Sequence, residues 1–258
     1  MESQPGLIRN VETIRIGKSA SSFRVSLIIP EMPNQSSKFF DSTLMEILHY
    51  QSFPAMLPFV GKDYVLANHS KLLIFGESFY FPKQSTLHNE PSKWYSSRQE
   101  SLESNEVEHI NCRGLLECDW GLRGHRIYRE LNSCLAELDL PSPDRPISHI
   151  CFTNTFMRPA RHRGTFKGCC VDRDIELSNE VVARVIKALD PDLVIFASKY
   201  AWDMVGGNVA KRFSGITFDF VYHPARHYWW NGRSNPKSHE HGRKKFLSLL
   251  KNKWAVKG

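Results

Sequence analysis

Three short stretches place acid, amide and imidazole side chains directly after apolar runs: "GESFYF" (76–81), "TNTFMRPA" (153–160) and "HPARHYWW" (223–230). Glu77 brings a carboxylate that can orient water or balance a developing positive charge, and Ser78 brings a hydroxyl beside it. Asn154 brings one acceptor and two donors, enough to read two adjacent polar atoms of a ligand. His223 brings a group that donates or accepts a proton near neutrality. Each residue alone has an ordinary structural role. A Glu after a strand caps a turn, an Asn there is a turn residue, and Tyr80, Phe81, Trp229 and Trp230 can all be packing. Only their joint occurrence, in this order, points to a site.

The elements around them read as an alternating α/β chain. "LLIF" (72–75), "ISHICFT" (147–153), "LVIFAS" (193–198) and "ITFDFVY" (216–222) are apolar runs of strand length. Between them lie helical spacings: Ile127, Leu131, Cys134, Leu135 and Leu138; then Val181, Val182, Val185, Ile186 and Leu189 after a cap at Ser178; then 199–213, weakened by Gly206-Gly207. A further amphipathic helix is expected over 38–50, a proline-punctuated loop over 52–64, and a basic amphipathic helix over 242–254. Strands joined by helices imply crossover connections and a largely parallel sheet covered on both faces. In such sheets ligands bind beyond the carboxyl ends of the strands, where the three stretches fall. The segment 85–108, with six Ser and five Glu, reads as a polar insertion or surface loop beside the site. The expected organisation is an N-terminal arm over 1–37 and one domain over 38–258.

The net charge of +7 is unevenly spread. From 223 to 258 there are nine Lys or Arg and one acid, Glu240, a sum of +8, which leaves −1 for the rest of the chain. A second cluster, Arg158, Arg161, Arg163 and Lys167, has no acid inside it. Two basic clusters favour a polyanionic partner, with Arg158, Arg161, Arg226, Arg243 and Lys244 as its contacts. No apolar run is long enough to span a bilayer, and no leader pattern is visible at the N-terminus. None of the six cysteines forms a C-x-x-C pair, so reduced thiols, no metal and no cofactor are expected. The expected protein is a cytoplasmic monomer.

The three stretches resemble the motifs of the uracil-DNA glycosylase superfamily. Its first motif reads G-Q-D-P-Y-H in one branch and G-E-A-P-G in another. "GESFY" is similar to both through Gly76, Glu77 and Tyr80, "FTNT" supplies the middle Asn as Asn154, and "HPA" echoes the final His-Pro-Ser through His223 and Pro224. The segment "LDPDLVIFASKYAWDMV" looks like the strand and helix before that last motif, so the likeness runs from about 72 to 250. The resemblance implies a three-layer α/β/α sandwich with about four mainly parallel strands. It also implies a partner that is DNA or a nucleotide, and excision of uracil or a damaged base by N-glycosidic hydrolysis.

On that resemblance Glu77, Ser78 and His223 are the catalytic positions and Gly76, Tyr80 and Asn154 the base-binding ones. The chain departs from the pattern in three places. Ser78 stands where one branch has Asp, Phe79 replaces the proline, and Arg226 replaces a second one. Loss of the Asp leaves Glu77 as the remaining carboxylate, and an Asp restored at a solvated position 78 would raise excision. The same departures fit a catalytically impaired module that binds a nucleotide or nucleic acid, or a different hydrolase using Glu77 and His223 on a small nucleotide.

Overall fold

The computed structural model describes residues 36–66, 69–118, 124–160, 165–230 and 241–254. The N-terminal arm therefore lies outside the described residues, except that Ser36 already pairs with Gly61. The chain is an α/β sandwich around one mostly parallel sheet. Among the described residues its strands are β1 (Phe59–Val60), β2 (Leu72–Tyr80), β3 (Ile150–Ala160), β4 (Leu193–Phe196) and β5 (Thr217–Phe220), in the order β1-β3-β2-β4-β5. Among the described residues the sheet thus has five strands rather than about four. The extra one, β1, runs antiparallel to β3 from within the segment expected to be a loop. Its two residues, like β2 and β4 nearly throughout, are buried, which is why the strands read as continuous apolar runs.

The helices are α1 (Asp41–Leu44), α2 (Leu48–Ser52), α3 (Pro91–Ser96), α4 (Ser104–Ile110), α5 (Cys112–Glu117), α6 (Arg126–Leu135), α7 (Asp172–Leu189), α8 (Lys199–Ala201), α9 (Gly207–Ala210) and α10 (Gly242–Lys253), with a π segment, Trp202–Gly206, joining α8 to α9. Three sequence expectations change here. The single helix over 38–50 is two short ones, and two residues of its expected apolar stripe, Phe39 and Leu48, face solvent. Helix α7 begins at Asp172, so Ser178 is a buried interior residue and not a cap.

The third change concerns the polar segment 85–108, which carries α3, most of α4 and two short 3₁₀ turns. Trp94 anchors it, stacked on Phe53 at 4.5 Å and donating from Nε1 to the Met157 carbonyl at 3.1 Å. Most of its serines and glutamates are exposed, while Trp94, His88, Ser85 and Glu106 are buried. Polarity alone therefore misread it as loop.

The strands do not end level. Phe196 of β4 and Phe220 of β5 stand in register with Phe75, whereas β2 and β3 continue past that line to Tyr80 and Ala160. The chain leaves β2 for its neighbour β3 and leaves β4 for β5 on the other side. The gap between the carboxyl ends of β2 and β4 is thus the switch point of the sheet, where parallel sheets open a crevice.

Candidate functional site

Gly76 lies within β2, which the sequence reading ended at Phe75. It lies opposite Asn154 in the parallel ladder, and its carbonyl accepts a hydrogen bond from the buried Thr155 hydroxyl at 2.7 Å. A Cβ here would collide with Asn154 Oδ1 and lie 2.9 Å from Phe152 Cζ. The glycine is needed because the Asn154 carboxamide lies across its Cα. Asn154 itself is 6% exposed, yet its amide makes no hydrogen bond among the described residues, and its polar atoms are not sealed from solvent. A carboxamide held in so little space without a partner is placed to meet a ligand.

Glu77 turns toward the switch point. Its Oε2 accepts from the Ser198 hydroxyl at 2.6 Å and its Oε1 from the Phe166 backbone N–H at 3.3 Å. Ser198 follows β4 and caps α8, accepting from the Ala201 N–H at 3.3 Å. One serine therefore ties the carboxylate of β2 to the helix after β4. Each Glu77 oxygen keeps a lone pair for a water or a ligand. Ser198 and Phe166 were missed in the sequence reading. Ser198 had a legible signal, a hydroxyl between an apolar strand and a helix start.

His223 follows β5 by two residues, Val221 and Tyr222, and is partly buried. Its Nδ1 accepts the Ala225 N–H at 3.1 Å. An imidazole nitrogen that accepts cannot carry a proton, so the neutral ring holds its hydrogen on Nε2. Loss of solvent pushes the imidazole down to about 4, against the raising influence of the nearby Glu77 carboxylate and with Arg226 lowering it further. The ring keeps some solvent contact by surface area, but most of its surroundings are protein atoms, and this desolvation dominates. At neutral pH His223 is an uncharged Nε2–H donor beside a carboxylate.

Tyr80 and Ser78 complete this edge. Tyr80 is 36% exposed, and burial followed by the Glu77 charge raises its phenol, while Arg226 and the Ser78 hydroxyl lower it. Ser78 is only 7% exposed and its Oγ has no partner in good hydrogen-bond geometry, so the condition under which Ser78→Asp would leave stability unchanged, a solvated position 78, is not met. Tyr200 lies near the same carboxylate. Burial raises its hydroxyl first, with Cys170 and Glu77 adding to the effect.

The basic positions separate. Arg158 is not a nucleic-acid contact: it is fully buried, with Nε and Nη2 on the two Asp174 oxygens at 2.8 and 2.6 Å and further bonds to the His88 and Cys169 carbonyls. The register shift past Ser78, where β3 takes two more residues than β2, coincides with this inward aim. Arg161 lies outside the described residues. Arg226 is exposed and within electrostatic reach of Tyr80 and His223. Arg243 is half-buried and pairs with Glu137, Lys245 pairs with Asp219, and Lys244 is exposed. All six cysteines are free, and the described residues hold no cluster of three or more metal-ligating side chains. No helix among the described residues is long and apolar enough to cross a membrane.

In comparison with known proteins, no family model matches the sequence and no curated protein matches it.

Proposed function

We propose that the carboxyl edge formed by β3, β2, β4 and the end of β5 binds a nucleobase and hydrolyses its N-glycosidic bond, as in a divergent branch of the uracil-DNA glycosylase superfamily. What supports this reading is the neutral His223 Nε2–H donor near the Glu77 carboxylate, together with a nearly buried Asn154 amide on β3 that has no protein partner among the described residues. Asn154 reads the polar edge of the base. As the C–N bond breaks, its electron pair goes to the base, and the His223 donor stabilises the anion forming there. Glu77 faces the positive charge left on the sugar, orients the water whose oxygen takes the vacated position and accepts its proton, and the base leaves protonated at the released nitrogen. Tyr80 walls the base. The Ser78 hydroxyl contributes no charge, so the rate rests on Glu77 and is slow. The reading takes the protein as a cytoplasmic monomer.

A second reading, a binding module for a nucleotide, is favoured by the inward Arg158 and the paired Arg243 and Lys245, which leave less free positive charge than the sequence suggests. Oligonucleotides carrying uracil, hypoxanthine or an alkylated base, incubated with the protein and then cleaved in alkali at abasic sites, separate the two. Strand scission with one of them supports hydrolysis. Intact strands throughout, with nucleotide binding that Asn154→Ala removes, support the binding module.

A further inference from the structure

In the segment after His223, one buried ring stands between two exposed ones. Trp229 is buried and packs on Phe246 of α10 at 5.8 Å between ring centres, while its neighbours on both sides, Tyr228 and Trp230, are 42% and 43% exposed. Trp229 thus acts as an anchor that fixes a short 3₁₀ turn, His227–Trp229, and holds two large flat side chains in water. Contiguous exposed apolar patches mark interaction surfaces, whereas single exposed residues do not.

Cations accompany these rings. The Arg243 guanidinium lies over the Trp230 ring, 5.5 Å from its centre. Tyr228 lies against Tyr222 at 5.4 Å, tilted by 35°. Arg226 is exposed, makes no ion pair among the described residues, and acts electrostatically on both Tyr80 and His223. Along the chain the strip therefore runs from Arg226, within electrostatic reach of His223, through Tyr228 to Trp230. It combines two exposed rings with two guanidiniums, of which Arg226 makes no ion pair among the described residues and Arg243 is paired with Glu137.

We infer that this strip, Arg226, Tyr228 and Trp230 with Arg243 behind it, is a stacking platform for single-stranded nucleic acid, seating the nucleotides next to the one held in the crevice. Rings spaced along a chain suit successive bases, and the guanidinium of Arg226 suits the phosphate between them. A neutral glycan would use the rings but not the charges. A duplex keeps its base faces stacked on one another and offers none to the strip. The inference rests on the nucleobase reading of the crevice and adds strandedness to it.

The test is fluorescence anisotropy with a labelled oligothymidylate of about 16 nucleotides and a duplex of equal length, at two salt concentrations. The wild-type chain should bind the single strand at least 10-fold more tightly. Tyr228→Ala and Trp230→Ala should each weaken that binding by about 10-fold, as expected for the loss of one base stack. Trp230→Phe should retain most of it and Trp230→Leu should not, because stacking needs a ring and burial needs only apolar bulk. Arg226→Ala should weaken binding and flatten its salt dependence. Unfolding midpoints of these surface variants should stay within about 2 °C of the wild type, reflecting changes of about 0.5 kcal/mol.

Equal affinity for duplex and single strand, no binding, or Trp230→Leu as good as Trp230→Phe overturns the platform. If the strip variants lose binding while no modified base is excised, the platform stands and the hydrolytic reading falls. If bases are excised and the strip variants bind and turn over like the wild type, the hydrolytic reading stands and the platform falls.

Discussion

Replacing Gly76 by Ala separates a residue that shapes a strand from one that shapes a site. The added methyl would sit 2.9 Å from Phe152 Cζ and closer still to Asn154 Oδ1. To regain ordinary contact of about 3.5 Å the carboxamide must retreat by roughly 1 Å. Overpacking of this kind costs about 1–3 kcal/mol. Losing a flexible glycine from the unfolded chain returns about 0.4–1 kcal/mol. The net loss is about 1–2 kcal/mol, or about 2–8 °C in the unfolding midpoint of a domain this size. In an Asn154→Ala background the main obstruction is gone and only a ring tip remains, so the same Gly76→Ala change should be neutral or slightly stabilising. Urea unfolding of the four proteins of this cycle measures the coupling, expected to exceed about 1 kcal/mol. Ligand affinity should fall in Gly76→Ala by 10-fold or more, because the displaced amide no longer meets the base. An equal stability loss in both backgrounds would mean that Gly76 serves the backbone and that Asn154 is not held over it.

Further outcomes follow from the same geometry. Asn154→Ala alone should leave stability nearly unchanged while removing ligand binding, since its amide has no protein partner to lose; both are read by thermal unfolding and titration. Ser78→Ala should be neutral or stabilising by up to about 1 kcal/mol, because the buried hydroxyl lacks a partner, whereas Ser78→Asp should destabilise, and denaturant midpoints decide both. Arg158→Ala or Asp174→Ala should each cost about 3–5 kcal/mol by leaving a buried charge alone, without a specific effect on nucleic-acid binding. For His223 the folded pKa lies below the ordinary 6.5, so the unfolded chain takes up its proton first as pH falls. Its contribution to stability is complete above about 6.5 and is lost progressively down to about 4. An NMR titration of the ring should place its midpoint near 4, and a midpoint near 6.5 would remove the neutral-donor argument.

The alternation of strands and helices was legible because buried strands are apolar throughout and α7 carries its valines at helical spacing. The ends of elements were less legible. "GESFY" reads as a turn because Gly, Glu and Ser are turn residues, yet all five continue β2, paired with β3 where apolar periodicity no longer applies. Arg158 reads as a surface cation because the sequence shows its basic neighbours, while its partner Asp174 lies 16 residues on, after Arg161, Arg163 and Lys167. Glu77, Asn154 and His223 were visible as residue types after strands. What joined Glu77 to the switch point, the Ser198 hydroxyl and the Phe166 N–H, is long-range and carries no local pattern. The two exposed rings around Trp229 were equally hidden, since "YWW" does not tell which ring is the anchor.

The central claim is that Glu77, Asn154 and His223 act together on one glycosidic bond. The most direct test is a single-turnover reaction with protein in excess over a uracil-containing single strand, with free uracil quantified by mass spectrometry. The account predicts slow release of one uracil per strand by the wild-type chain. It predicts losses of 10²-fold or more in His223→Ala and in Glu77→Gln, and a comparable loss in Asn154→Ala through binding. Release that persists unchanged in Glu77→Gln and His223→Ala, or no release of any base by the wild type, would contradict it.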